Sequence, residues 1–295
     1  MRPPSVLQFA PQVCRHDAVG NEVFALRSML GELRIDCHVC CDRTDVPSDW
    51  RIYSRRHAAR LCPDTVLIHY SHGSASYREI FSRPGHKTLV YHNITPPEYF
   101  HGTNKNMEDA SRQGRLELPE YASRTDLALA HSTFSARELT AAGFKNVAIL
   151  PYVLWEPLYR LAPDPSVGKR FGGDGWVNLL TVGRVAPNKR LEDSLFAFDY
   201  FQRFIRAKSR LFIVGHWDGN EAYLARLQRL ARKLGTRDVH FTGRVPQETL
   251  IAFFQLADAF LCMSEHEGFC VPLVEAMRYG VPLFTYASTA VPETL

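Results

Sequence analysis

The stretch "WVNLLTVGRVAPNKRLEDSLFAFDYFQ", residues 176–202, decides the fold. It opens on a short apolar run, 176–183, that ends at a glycine and reads as a buried strand. A loop carrying Pro187 follows. Beyond it Leu191, Leu195, Phe198 and Phe201 or Gln202 recur on one face of a helix. Strand, loop and helix in that order are the repeating unit of a parallel sheet covered on both faces.

The same alternation runs outward in both directions. After residue 202 it continues with the strand-like runs 210–215, 238–243, 258–263 and 281–286. Before residue 160 the runs 5–10, 35–41, 65–70, 87–92, 126–131 and 146–151 read as strands, with helices over 19–33, 106–122 and 133–142 between some of them. The segment "RLAPDPSVGKRFGGDG" (160–175) interrupts the pattern with four glycines, two prolines and charges. The expected fold class is therefore α/β, with two Rossmann-like domains facing across a cleft. Residues 1–158 form the first, 159–175 a linker and 176–295 the second. The closing "STAVPETL" puts Pro292 and Glu293 where a helix or ordered loop begins, and a doubly wound domain rarely ends there. The second domain is thus expected to be truncated, lacking its C-terminal elements.

Composition narrows the function classes. The chain of 295 residues is 45% hydrophobic and 22% charged, as an ordinary globular protein is. Its net charge of +4 is spread evenly, with 18 Lys and Arg against 16 Asp and Glu in residues 1–155 and 17 against 15 in the rest. Nucleic acid as a partner calls for a concentrated basic face and is not expected. No apolar run is long enough to span a membrane, and "MRPPSVLQFA" lacks the apolar core of a secretory signal. Of seven cysteines, Cys37, Cys40, Cys41 and Cys262 fall in strand-like runs and read as buried free thiols of a cytoplasmic protein. "CHVC" (37–40) has zinc-site spacing but no second pair, and an alternating strand explains it.

Candidate chemistry gathers where ligands of parallel sheets bind, at strand ends and helix N-termini. In 181–192, Arg184 and Lys189 flank Pro187 on a strand-to-helix loop, a guanidinium and an ammonium placed to clamp a diphosphate, or two solvated charges. No GxGxxG or GxxxxGK[ST] motif is present, so neither a dinucleotide site nor a P-loop is supported. In "EHEGFCVPLVEAM" (265–277), Pro272 suits the first helical position. That places Glu267 in a loop and Glu275 in the first turn or so of a helix. Gly268 permits close approach, and the amides of Phe269 and Cys270 can donate to an anion or to hydroxyls. Glu275 could accept from a ribose diol and Glu267 from a sugar hydroxyl. His92, closing a strand in "LVYHNITPPEYF", could reach a bound sugar or satisfy a local carbonyl, and His69 and His72 have less support. Gly20, in "DAVGNEV" (17–23), could line the acceptor side of the cleft. In "WRIYSRRHAAR" (50–60), Arg51, Arg55, Arg56 and Arg60 would fall near one helical face, either solvated or touching anionic lipid on the inner face of the cytoplasmic membrane.

The segments "GRVAPNK", "TGRVPQETL" and "SEHEGFCVPLVEAMRYGVP" together resemble the retaining glycosyltransferases of family 4, which have the two-domain GT-B fold and an E-x7-E motif. "VYHNITP" and "ALAHSTFSARELTAAGF" are the most family-like parts of the first half. The resemblance implies a metal-independent hexosyltransferase of polysaccharide biosynthesis with no cofactor. A nucleotide-diphosphate sugar would be the co-substrate and a glycan or lipid-linked molecule the acceptor. Arg184 and Lys189 would bind the diphosphate, and Glu275 the ribose. Glu267 with the backbone at Gly268, Phe269 and Cys270 would hold the transferred sugar. Val245 would offer its backbone to the base, and His92 would contact the sugar near its 6-position. Arg190 stands where the family often has glycine. Two other readings fit the same fold: a nucleotide-sugar binder without turnover, and another GT-B enzyme such as an epimerase or phosphorylase.

Overall fold

The structure, a computed structural model, describes residues 4–15 and 17–295, apart from the side chain of Asp49. Met1–Pro3, part of the stretch read as lacking a signal sequence, lie outside the described residues. The chain divides into two units, one of residues 1–94 and 109–156, the other of 95–108 and 157–295.

The first unit holds a seven-stranded sheet of β1 (Ser5–Val13), β2 (Asp36–Thr44), β3 (Ile52–Ser54), β4 (Thr65–Tyr70), β5 (His86–Tyr91), β6 (Leu127–Ala130) and β7 (Val147–Ile149). The spatial order is β3-β2-β1-β4-β5-β6-β7, and every pairing is parallel. Successive strand residues feed opposite layers, as the two-residue period requires. Leu7 and Phe9 enter one apolar cluster, while Ala10 enters another beneath the helix Ala18–Glu32. Asp17 caps that helix, its side chain accepting from the Gly20 amide.

One expectation is overturned here. Residues 50–60 do not form a helix with an arginine face. Ile52–Ser54 is the edge strand β3 paired with β2, and only Arg55–Ala58 is helical, behind a Ser54 cap. Arg51 takes a left-handed conformation at φ 51° ahead of the strand, and Arg55 is drawn to Asp42 and Glu79. Ile and Tyr favour the pleated strand, and pairing with β2 outweighs the helical spacing of the arginines.

The second unit holds β8 (Val177–Val182), β9 (Ser209–Val214), β10 (Val239–Gly243), β11 (Ala259–Cys262) and β12 (Leu283–Thr285), in the order β10-β9-β8-β11-β12 and parallel throughout. Both faces are covered. Leu179, Leu211 and Ile213 pack with Leu191, Leu195 and Phe198 of the helix Leu191–Phe204, as its spacing predicts. Leu180, Phe212 and Val214 pack on the other side with Phe253 and Phe260. The stretch expected as a linker is instead structured within this unit. Asp164 caps a helix, Pro165–Phe171, whose Val167 is buried in the second cluster. The proline that suggested a break occupies the first turn, where it is tolerated. Val291–Thr294 is helical, as the position of Pro292 suggested.

Among the described residues no helix is long and apolar enough to cross a membrane. Cys40, Cys41 and Cys262 are buried free thiols as expected, whereas Cys37 is only partly covered.

At the carboxyl ends of β8 and β9 the two backbones nearly touch. A Cβ on Gly215 would lie 1.9 Å from the Gly183 carbonyl oxygen, and its φ is +151°. No side chain fits, and the obstacle is backbone. Gly215→Ala should therefore destabilise the second unit by about 3 kcal/mol, through overpacking and backbone strain. Urea unfolding followed by circular dichroism measures this, and a loss below half that size would mean the two backbone segments can separate.

Candidate active site

The order of the second sheet reverses between β8 and β11, so the loops leaving these strands diverge and open a crevice at their carboxyl ends. A pocket lies there, lined on one side by Gly183, Arg184 and Lys189 and on the other by Cys262, Met263 and Ser264. Arg184 and Lys189 thus reach one concavity. Lys189 ends a short 3-10 turn, Pro187–Lys189, and Arg190 after it takes the left-handed conformation at φ 47°.

Polar contacts bind the β11 loop to the β8 loop. Asn188 Nδ2 donates to the His266 carbonyl at 3.2 Å, and the Glu265 amide donates to the Asn188 carbonyl at 2.9 Å. Lys189 Nζ donates to Glu267 Oε1 at 2.6 Å. Burial opposes the charge on Lys189, but the Glu267 carboxylate beside it outweighs that and holds the ammonium above the ordinary lysine range. Arg184 lies with its guanidinium carbon 5.6 Å from the centre of the Phe100 ring. Glu267 is fixed further by its own amide, which donates to Thr289 Oγ1 at 2.9 Å.

Gly268, Phe269 and Cys270 carry the chain from Glu267 into the helix Val271–Arg278, with Pro272 in its first turn. Cys270 caps it in a left-handed conformation, φ 77°, and its Sγ lies 3.8 Å from that of Cys262. Glu275 is the fifth residue of this helix, in its second turn rather than its first. Its side chain is buried, and Tyr159 Oη donates to its Oε1 at 2.9 Å. Val245, just beyond β10, packs partly buried against the cluster of Phe212 and Phe253. Sequence reasoning missed Asn188, Tyr159 and Thr289. The only signal for Asn188 was a polar residue between proline and lysine, and Tyr159 meets Glu275 across 116 residues of chain.

The remaining candidates belong to the first unit. Gly20 is buried where a Cβ would lie 2.2 Å from the Cys14 carbonyl oxygen, so helix packing accounts for it. His92 directly follows β5, and its ring is 7% exposed. Its Nε2 lies 2.8 Å from His69 Nδ1 and 3.7 Å from Glu22 Oε2. Burial pushes His69 down to about 3 and His92 well below the usual histidine range, so both rings are neutral.

Burial pushes the Glu275 carboxyl up to about 7, against the lowering effect of the Tyr159 hydrogen bond. A raised carboxyl has a definite signature. Below about pH 4.5 it is protonated in folded and unfolded chains alike, and burial carries no charge penalty. As the pH rises the unfolded chain ionises first, so stability falls up to about pH 7 and then levels, a loss of about 3 kcal/mol. Glu275→Gln should remove this descent and be more stable than the parent above pH 7. Urea midpoints measured from pH 4 to 8 on both chains test this, and parallel curves would contradict it.

Three comparisons bear on this site. The chain is 33% identical over 149 residues to a GDP-mannose-dependent alpha-(1-6)-phosphatidylinositol monomannoside mannosyltransferase of Mycolicibacterium smegmatis, a match covering 46% of this chain and 37% of that protein. It is 30% identical over 118 residues to the O-antigen chain mannosyltransferase B of Escherichia coli, covering 39% of this chain and 30% of that one. The chain thus spans about a third of the length of these curated relatives. In structure it is similar to Anabaena Alr3699/HepE in complex with UDP-glucose, with a TM-score of 0.73 at 16% identity over 99% of this chain and 82% of that one. The fold is therefore the GT-B fold of glycosyltransferases, and residues 176–295, which carry the crevice, match the family described as Glycosyl transferases group 1.

Proposed function

We propose that the protein is a retaining glycosyltransferase that moves a hexose from a nucleotide-diphosphate sugar to a glycan or lipid-linked acceptor. The observation that carries this reading is the Lys189–Glu267 pair at the mouth of the β8–β11 crevice, 2.6 Å long and largely buried. A buried ion pair broken on one side leaves a costly uncompensated charge. A donor that draws Lys189 to its diphosphate must therefore also satisfy Glu267, and the hydroxyls of a sugar attached to that diphosphate do so. A free diphosphate supplies only half of the exchange. The pair thus favours a ligand carrying phosphate and sugar together.

In the transfer step the anomeric C–O bond breaks and its electron pair passes to the β-phosphate oxygen. Arg184 and Lys189 neutralise the charge that develops there, with no metal required at the diphosphate. The acceptor hydroxyl attacks from the face the phosphate leaves and gives its proton to the departing phosphate oxygen, which preserves the anomeric configuration. In this reading Glu267 and the backbone of Gly268, Phe269 and Cys270 hold the sugar, Glu275 the ribose and the Val245 backbone the base. The mycobacterial relative makes GDP-mannose the first donor to test, and the solved Anabaena neighbour makes UDP-glucose the second.

Lys189→Ala should lower donor turnover by about 10²–10³, the range seen when one charge-stabilising contact is lost. Release of nucleotide from each donor, measured beside the circular dichroism of the same sample, tests the assignment. Unchanged turnover in a folded variant would remove Lys189 from the site.

A further inference from the structure

The order of the first sheet also reverses, between β1 and β4, and four buried side chains meet there: Glu22, His69, His92 and His131. His69 lies near the end of β4, while His92 and His131 directly follow β5 and β6, so three adjacent strands each deliver an imidazole. Glu22, fully buried on the helix Ala18–Glu32, faces them. Its Oε2 is 3.2 Å from His131 Nε2 and 3.7 Å from His92 Nε2, and His92 Nε2 is 2.8 Å from His69 Nδ1. Burial opposes the charge on Glu22, but His131 beside it outweighs that and holds the carboxyl below its ordinary range.

The outer hydrogen bonds fix which ring nitrogens face inward. Gln8 Nε2 donates to the Val23 carbonyl, so Gln8 Oε1 is the acceptor left for His69 Nε2–H at 2.9 Å. The His69 Nδ1 lone pair therefore points into the cluster. His131 Nδ1–H donates to the Leu150 carbonyl at 2.9 Å, which turns Nε2 inward in the same way. Glu22 Oε1 accepts from the Val153 amide at 3.2 Å, leaving Oε2 directed at the imidazoles. Ligating histidines characteristically have their other nitrogen held by a carbonyl or carboxylate, and ligating carboxylates are themselves hydrogen-bonded.

We propose that Glu22, His69 and His92 form a structural site for a divalent transition metal, zinc above all, with His131 beside Glu22 as its polar neighbour. Two imidazoles and one carboxylate suit zinc, and tetrahedral bonds of about 2.05 Å put neighbouring donor atoms about 3.3 Å apart. The separations of 2.8 Å from His92 to His69 and 3.7 Å from His92 to Glu22 bracket that value, and one donor atom from each of the three residues lies within 4.8 Å of the others. In the metal-free chain a proton between His69 and His92 occupies the same space. A single cation replaces that contact and pins two strand ends and one helix to a common point. The site belongs to a different unit from the Lys189–Glu267 crevice and stands or falls independently of the transferase reading.

The test uses the untagged full chain, stripped with chelator and titrated with zinc and with cobalt. One equivalent of zinc should bind and raise the unfolding temperature. Cobalt should give the visible bands of a tetrahedral nitrogen and oxygen site, without the sulfur charge-transfer absorption that a cysteine ligand produces. His69→Gln should weaken binding by roughly 100-fold or more. The double variant Cys262→Ser, Cys270→Ser should bind as the parent does, which discriminates against the other cluster of metal-ligating side chains, Cys262, Glu267 and Cys270. If His69→Gln does not fold, the cobalt spectrum of the parent chain decides alone. Absence of tetrahedral cobalt bands in the parent, or loss of binding in the cysteine variant, overturns the proposal. A Lys189→Ala chain that has lost turnover should still bind the metal.

Discussion

The ion pair between Lys189 and Glu267 is the constraint on which the crevice of the second unit depends. Each charge comes from a different loop, and neither loop is regular. An exposed pair of this kind would contribute little, since solvent screens it and two long side chains must be ordered. Here both partners are largely buried, and the surroundings are arranged around them. Asn188 ties its neighbour loop through both backbone and side chain, and Thr289 holds the Glu267 amide. Arg190 reinforces the tie by reaching Asp193 and Glu265. Its left-handed backbone is unfavourable for a residue with a side chain, and these contacts offset that strain. A glycine at this position would relax the backbone and lose the tether.

Both sheets place their polar chemistry at the point where strand order reverses, yet the two sites are built differently. The crevice of the second unit is open at the strand ends, and charges of both signs meet beside it. The cluster of the first unit is closed around a single carboxylate; burial keeps His69 and His92 neutral, while at His131 the Glu22 carboxylate outweighs burial and holds the ring above the usual histidine range. The same topology thus supplies an open crevice in one unit and a sealed imidazole–carboxylate cluster in the other. The difference lies in the residues around each set of strand ends. Gly183 and Gly215 let the ends of β8 and β9 close on each other with no side chain between them, and the turn Pro187–Lys189 carries Lys189 to the crevice. In the first unit Gln8, Val153 and Leu150 crowd around the side chains and hold them by hydrogen bonds.

The sheets were largely legible in the sequence because parallel strands buried on both faces read as short apolar runs. Of the twelve strands in the described residues only β3 went unread, at three residues too short for a period to declare itself. Arginine spacing suggested a helix there, and strand pairing, which no local window contains, decided otherwise. The helix Pro165–Phe171 was hidden among glycines and prolines that elsewhere signal a linker. Within the crevice, the charged pair and the glycine before the helix could be read from spacing. The tyrosine that engages Glu275 and the glutamate that meets His92 could not, since each lies many residues from its partner and carries no local mark. Glu22 in particular sits among the polar residues of an ordinary helix N-terminus, and only the fold reveals that it is fully buried.

Every strand pairing in both sheets is parallel, which has a consequence for the order of events when the chain folds. Lys189 and Glu267 are 78 residues apart, and the strands that deliver them, β8 and β11, are joined by contacts such as Thr181 Oγ1 to the Leu261 carbonyl across 80 residues. Contacts so distant in sequence form slowly, because the loop between them must close before any pairing compensates the lost entropy. The strands β9 and β10 and their helices lie within that loop and can assemble on β8 first. The crevice therefore comes into being only when β11 docks against the exposed side of β8. An intermediate that has completed half the sheet is compact and mostly native in secondary structure, but it has a strand edge open to other chains and no binding site. The ability to hold a ligand arrives with the last seam, so bound ligand rewards only chains that have closed it.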